Sequence, residues 1–327
     1  MVIEPEELLG EFDPPDSNRL YPELFSLHRE IHGFSEDLDN LQRLLEIQKR
    51  LITAVLDAER EIKAAKSGDI DPKEWQYVRY NFLCLGDSLA FLYIDRFALK
   101  QMFFNVDNDN PKQGGGFLSG QTGLAGEVSL LIEAIARGVP AVLCDLTTVL
   151  RFGDVCLLGA SDPVPIEVKS SKTKDARAKR QKKKIDTLTK FLETDQATDF
   201  RGVTGTTFRT GFSSPPRSFD NLLEAAISEA VSQGTSTFEV DGCLKFGVIA
   251  DGKPDYDALF SGMNPNRTLV NFVNQIKTNM IWGCYVPYAL SLSNSDHYEM
   301  FVRGEIIIIS LLDMADFEAK LASDGVT

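Results

Sequence analysis

Asp154, Glu167 and Lys169 are the residues whose types and spacing fit a reaction. They fall in a run that reads as two short strands, Gly153–Ala160 and Pro165–Ser170, broken at Ser161-Asp162-Pro163. A strand sends alternate side chains to opposite faces, so Glu167 and Lys169 share one face and Ile166 and Val168 the other. Paired as a hairpin, the strands bring Asp154 within a side chain's reach of Glu167. Adjacent carboxylates repel, and a divalent cation removes the repulsion. Mg2+ (or Mn2+) takes a few carboxylates together with water and phosphate oxygens, so Asp154, Glu167 and the carbonyl of Val168 form a candidate ion site. Lys169 would position the attacking water or offset charge in the transition state. The alternative is an exposed hairpin carrying a Glu–Lys pair.

Two helices must flank that hairpin. Lys169–Lys190 holds ten Lys or Arg against Asp175 and Asp186, a net +8 in a chain of formal charge −14. Such a ridge suits a phosphate backbone through counterion release; its members are Lys172, Lys174, Arg177, Lys179, Arg180, Lys182, Lys183 and Lys184. Gln181 shares a helical stripe with Ile185, Leu188 and Leu192, which turns it toward the sheet. Upstream, Leu124–Ala136 reads as an amphipathic helix whose apolar positions Leu124, Val128, Leu131 and Ile135 surround Glu127, while Glu133 lies off the stripe. A Glu on an apolar stripe needs a partner or an ion; its alternative is a first-turn carboxylate favoured by the helix dipole.

A helix with an inward Glu, a strand, a strand with Asp, a strand with Glu-x-Lys and a basic helix with an inward Gln: this order resembles the PD-(D/E)XK nuclease superfamily, over about residues 120–193. The matching positions are Glu127, Asp154, Glu167, Lys169 and Gln181; Gly153-Asp154 stands where the family has Pro-Asp, and Asp145, on a strand read as Ala141–Val149, is the rival for Asp154. The resemblance implies an α/β protein with a restriction-endonuclease-like mixed β-sheet core flanked by helices. It implies a Mg2+-dependent nuclease, with Glu127 reaching the ion through water or holding a second one and Gln181 steadying Lys169 or a phosphate. DNA is the expected substrate ahead of RNA, restriction or phage defence an allowed setting, and a homodimer through the N-terminal helices or the core an allowed assembly. Two other readings stand beside it: a nucleic-acid-binding module without turnover, and an interaction protein whose basic helix takes an acidic partner, even its own N-terminal arm.

The 327 residues suffice for one large or two ordinary domains, and 43% hydrophobic with 25% charged content is that of a soluble globular protein. No apolar run reaches a membrane span, and the acidic N-terminus lacks the pattern of a secretory signal. Five scattered cysteines (84, 144, 156, 243 and 284) fit reduced core residues, so the expectation is a cytoplasmic protein.

Two regions are expected: a helical N-terminal region over 1–110, and a nuclease-like domain over 117–327 with a C-terminal elaboration. Ser35–Phe104 reads as an αα-hairpin, its second helix running from Lys73 to Phe104. His28 and His32 have the i,i+4 spacing of a metal pair but no third ligand; a solvated helix face is the simpler reading. Residues 105–116, rich in Asp, Asn and Gly, read as slack between the regions and match no EF-hand; no phosphate loop or dinucleotide fingerprint is present. Arg201, Arg209 and Arg217 are further candidates for phosphate contact. Beyond them come a helix over Ser218–Gln233, a hairpin turning at Asp241-Gly242, a helix over Leu269–Met280, a buried strand over Gly304–Ser310 and a helix over Met314–Ala322, with His297 structural.

Overall fold

Caps and prolines set the helices of the N-terminal half in the computed structural model, which describes residues 14–120, 122–168, 176–211, 217–250, 254–264, 266–276 and 286–323. Helix α1 (Tyr21–Ser35) starts with Pro22 in its first turn. In α2 (Leu41–Ser67) the Asn40 side chain accepts the Arg43 N–H at 3.1 Å, and α3 (Lys73–Tyr93) follows Pro72. The helix expected to continue to Phe104 instead stops: Ile94 is extended and Asp95 restarts the chain as α4 (Arg96–Phe103), its carboxylate accepting Phe97 N–H at 2.8 Å. A short acceptor side chain at that point satisfies a helix start better than a helix interior. Leu44, Ile47, Leu51, Val55, Ala58 and Ile62 of α2 are fully buried, as are Val78, Phe82, Leu85 and Leu89 of α3. Each set recurs at three-to-four spacing, as two packed helices require. His28 is buried rather than solvated, with its ring edge on His32 at 4.7 Å.

The chain divides into two compact units: Arg19–Pro216 with Lys277–Ser291, and Arg217–Ile276 with Leu292–Thr327 and Met1–Asn18. The expected break at residues 110–117 therefore falls inside the first unit. Polar staples account for this. Buried Gln48 of α2 donates to Ala141 O at 2.9 Å and accepts Leu143 N–H at 3.0 Å, completing the edge of a strand 95 residues away. Fully buried Asp87 of α3 accepts Thr148 N–H, Thr148 Oγ1–H and Val149 N–H at 2.7, 2.6 and 3.1 Å. Between them α3 meets the chain at Gly86, where a Cβ would overlap Leu146 O.

The first unit holds α5 (Leu124–Ala136), then the antiparallel sheet β1 (Ala141–Leu143), β2 (Val155–Leu157) and β3 (Val164–Ile166), then α6 (Ala176–Thr194). The three strands are shorter than their sequence patterns: after Leu143 the chain makes a 3-10 turn at Cys144–Leu146, and Asp87 holds Thr148 and Val149 just beyond it. A hairpin of β4 (Gln196–Thr198) and β5 (Thr206–Phe208) follows. The protein is thus mixed α/β, and no helix among the described residues is long and apolar enough to cross a membrane.

In the second unit α7 (Asp220–Gln233) precedes the hairpin β6 (Thr235–Val240) and β7 (Leu244–Ala250), which turns at Asp241 and Gly242 with φ of 56° and 75°. Helix α8 (Tyr256–Phe260) leads to β8 (Thr268–Phe272). The helix expected over Leu269–Met280 is this strand as far as Phe272, with alternating burial and full pairing to β9 (Ile306–Asp313); residues 277–280 lie outside the described residues. Its β-branched and aromatic side chains alternate at period two, and the four-isoleucine strand beside it supplies the apolar face they need. Helices α9 (Tyr288–Ser291, in the first unit), α10 (Ser295–Arg303) and α11 (Met314–Ser323) complete the chain. The sheet order β6-β7-β9-β8 makes this a separate sheet that shares no strand with β1–β3. Cys84, Cys144, Cys156 and Cys243 are free thiols.

Candidate functional site

The hairpin of β2 and β3 positions the two central carboxylates. Val155 pairs with Ile166, and just beyond the ladder Asp154 N–H donates to Ile166 O at 2.8 Å. The Asp154 carboxylate folds along the same edge, where Oδ2 accepts Val168 N–H at 2.6 Å. Asp154 thus spans the stretch of chain that carries half-buried Glu167. Gly153 makes that approach feasible: its φ is +75°, and a Cβ there would lie 2.8 Å from Ile166 O and 2.9 Å from Ile166 N. Glycine at position 153 is therefore required by this backbone.

Glu127 is buried in the first turn of α5, on the face sequence periodicity assigned to it, while Glu133 is exposed and pairs with Arg137. Helix α5 comes close to the hairpin, since a Cβ on Gly126 would sit 3.3 Å from Val168 Cγ1. Burial, and then the charges of Asp154 and Asp145, push the Glu127 carboxyl up to about 7. The Asp154 carboxyl is also raised by burial, against the lowering effect of the Val168 N–H, with Asp145 adding to the rise. Asp145, on the 3-10 turn after β1, adjoins Asp154 because Cys144 N–H donates to Asp154 O at 2.9 Å. Glu127, Asp145 and Asp154 are thus near enough for their charges to act on one another, Asp154 is tied to the segment that carries Glu167, and the rival assignments Asp145 and Asp154 are neighbours. Among the described residues no group of three or more His, Cys, Asp or Glu is close enough to hold a metal ion. Lys169 lies outside the described residues, as do Lys172 and Lys174.

Helix α6 presents Lys179, Arg180, Lys182 and Lys183 to solvent, with Gln181 half-buried on the opposite face. Arg177 belongs to the same helix. Lys184 is turned inward to an ion pair with Asp107 at 2.6 Å. The buried Leu188, Phe191 and Leu192 anchor the C-terminal half of the helix. The three arginines considered for phosphate contact are engaged by the protein. Arg201 donates to Gln101 Oε1 at 2.8 Å and to Asn105 O at 3.0 Å. Arg209 bridges Asp162 and Asp195, and Arg217 pairs with Asp241 at 2.7 Å.

Sequence reasoning missed Lys112. The loop 105–116 is no slack linker: it closes on itself through a Phe104–Pro111 bridge, and Lys112 N–H donates to Phe103 O at 2.9 Å. The Lys112 ammonium donates to Arg151 O, the Arg151 guanidinium donates back to Lys112 O, and the ammonium lies 4.8 Å from the centre of the Phe152 ring. A lysine between Pro111 and Gln113 carries no local mark of this; only a contact 39 residues away along the chain creates it. Matched against protein-family models, curated proteins and solved structures, the chain finds no counterpart in any of the three.

Proposed function

We propose that this protein is a metal-dependent nuclease of the PD-(D/E)XK type, built on a restriction-endonuclease-like core and acting on DNA ahead of RNA. The observation that carries the reading is the hairpin end at which Val168 N–H holds Asp154 to the segment carrying Glu167, with buried Glu127 of α5 near enough to feel the Asp154 charge. The donor set suits Mg2+ or Mn2+: hard carboxylate oxygens and the Val168 carbonyl, with carboxyls raised first by burial and then by neighbouring acidic charge, both of which a cation would offset. Asp154, Glu167 and the Val168 carbonyl would hold the ion, and Glu127 would reach it through water; this small protein donor set leaves room for water and a phosphate oxygen. The ion would polarise the scissile phosphate and stabilise charge on the leaving oxygen.

The chain's own residues supply the remaining steps. Glu127, raised to about 7 by its burial and so partly protonated at neutrality, would give up its proton where the site gains positive charge. Lys169 would orient the attacking water, Gln181 would steady Lys169 or a phosphate, and the exposed lysines of α6 would track the backbone by counterion release. Hydrolysis adds water across one P–O bond: the new bond forms to phosphorus, the ester oxygen leaves, and it takes up a proton. Cutting both strands of a duplex calls for two such sites, hence a homodimer.

The test is cleavage of a mixed DNA and RNA substrate with Mg2+ by the intact chain and by Asp154→Ala, Glu167→Ala and Lys169→Ala. Loss of at least 100-fold in each variant is expected, on the order of what one essential catalytic group supplies. Variants as active as the parent would remove the assignment. A nucleic-acid-binding module without turnover is the second reading, favoured by the lack of a three-ligand cluster among the described residues; salt-sensitive binding with no Mg2+-dependent product would select it.

A further inference from the structure

The loop 105–116 carries a half-buried ammonium to the edge of the carboxylate site. Lys112 is fixed on three sides: by its own N–H on Phe103 O, by its Nζ on Arg151 O, and by the Phe152 ring beneath it. Arg151 returns the contact from its guanidinium, donates to Thr148 O at 2.8 Å and lies 3.8 Å over the Phe103 ring, so its charge is spent on carbonyls and a ring. Asp154 follows Arg151 three residues later, directly before β2.

Of the charged groups that act on Lys112, Glu167 favours its ammonium while Lys184 and Arg151 oppose it. Lys184 already has its carboxylate, Asp107. Lys112 has none at ion-pair distance among the described residues; its contacts there are a carbonyl and a ring. Burial, and then the two neighbouring cations, hold its ammonium below the usual lysine range despite the pull of Glu167. A cation withdrawn from water beside two others is costly unless an anion joins it. An ammonium has three donors, and the Arg151 carbonyl takes one. The remaining donors match a phosphate oxygen.

We propose that Lys112 receives the substrate phosphate at the carboxylate site, on an ammonium delivered by the loop 105–116 rather than by the basic helix. The inference rests on the nuclease reading. It makes the loop part of the substrate-binding surface and divides phosphate recognition between one fixed, partly desolvated lysine and the solvated lysines of α6. In a lower local dielectric the fixed charge acts more strongly per contact.

The test measures binding of the full chain to duplex and single-stranded DNA by fluorescence anisotropy over a salt series, with Ca2+ in place of Mg2+. Lys112→Gln keeps a donor for Arg151 O and removes the charge; Lys112→Arg keeps the charge. The glutamine variant is expected to bind about 10-fold more weakly, with the slope of log K against log salt shallower by about one, and the arginine variant to keep the parent slope. Thermal melting of both variants reports the fold. A melted glutamine variant leaves the decision to the arginine variant, whose slope must match the parent. A folded glutamine variant with parental slope and affinity overturns the assignment of Lys112 while leaving the nuclease reading standing. A parent chain that binds neither DNA at low salt overturns the nuclease reading itself.

Discussion

Asp154 Oδ2 and the backbone N–H of Val168 lie 2.6 Å apart, and this one hydrogen bond ties the start of β2 to the Glu167–Val168 segment. It fixes the Asp154 carboxylate by a main-chain donor, so the position of that acid depends on backbone register rather than on a rotamer. The neighbouring acids Glu127 and Asp145 then act on a charge that cannot swing away.

The Glu127 carboxyl makes stability depend on pH in a stated direction. Its value in the folded chain, about 7, lies above the ordinary 4.5. An acid raised on folding favours the folded state only while it keeps its proton, so this contribution is complete below about pH 4.5 and is lost as pH rises through 7. Chelator-treated protein should lose up to about 3 kcal/mol across that window from this group, and Glu127→Gln should flatten that part of the profile. Urea unfolding between pH 4.5 and 8 measures it; identical profiles for the parent and the variant would exclude Glu127 as the source.

Asp87 is a structural acid, remote from chemistry. Replacing it with Ala leaves two backbone N–H groups and a hydroxyl buried without their acceptor. The expected cost is about 3 kcal/mol. Chemical denaturation of Asp87→Ala gives the number, and a loss under about 1 kcal/mol would show that the Thr147–Leu150 turn is not held from α3.

Gly153→Ala should cost about 2 kcal/mol or more, since it adds left-handed strain to an overlap with the Ile166 backbone. It should also displace Asp154 and depress Mg2+-dependent cleavage more than it depresses DNA binding. Equal activity in a folded Gly153→Ala protein would mean that Asp154 is not placed by this register.

The exposed face of α6 predicts a salt effect. Combined replacement of Lys179, Lys182 and Lys183 by Gln should lower the slope of log K against log salt by roughly three and weaken binding to all nucleic-acid sequences alike. Sequence-dependent losses would instead mark these lysines as base-reading residues.

Much of this was legible along the chain because it is local. The inward Glu127 follows from helical periodicity, the β2–β3 hairpin from the Ser161-Asp162-Pro163 break, and the Asp241-Gly242 turn from residue type. The Leu269–Met280 segment misled because a run of alternating residues beside a polar stretch fits helix and strand alike until a partner is known, and β9 was that partner. The helix drawn through to Phe104 missed Asp95 because the apolar spacing continues past the cap. His28 looked solvated because i,i+4 spacing says which face two residues share and nothing of what covers it.

The sequence by itself determined the helix with the inward Glu127, the β2–β3 hairpin, the basic stripe and the types of the acids, since each follows from spacing within a few residues. Tertiary structure alone decided that Gln48, Asp87 and Gly86 clasp the small sheet, and that Lys112 locks onto Arg151 and Phe152. Those contacts join residues tens of positions apart. A single hydrogen bond, or a missing Cβ, makes each of them, and neither leaves a periodic trace in the chain.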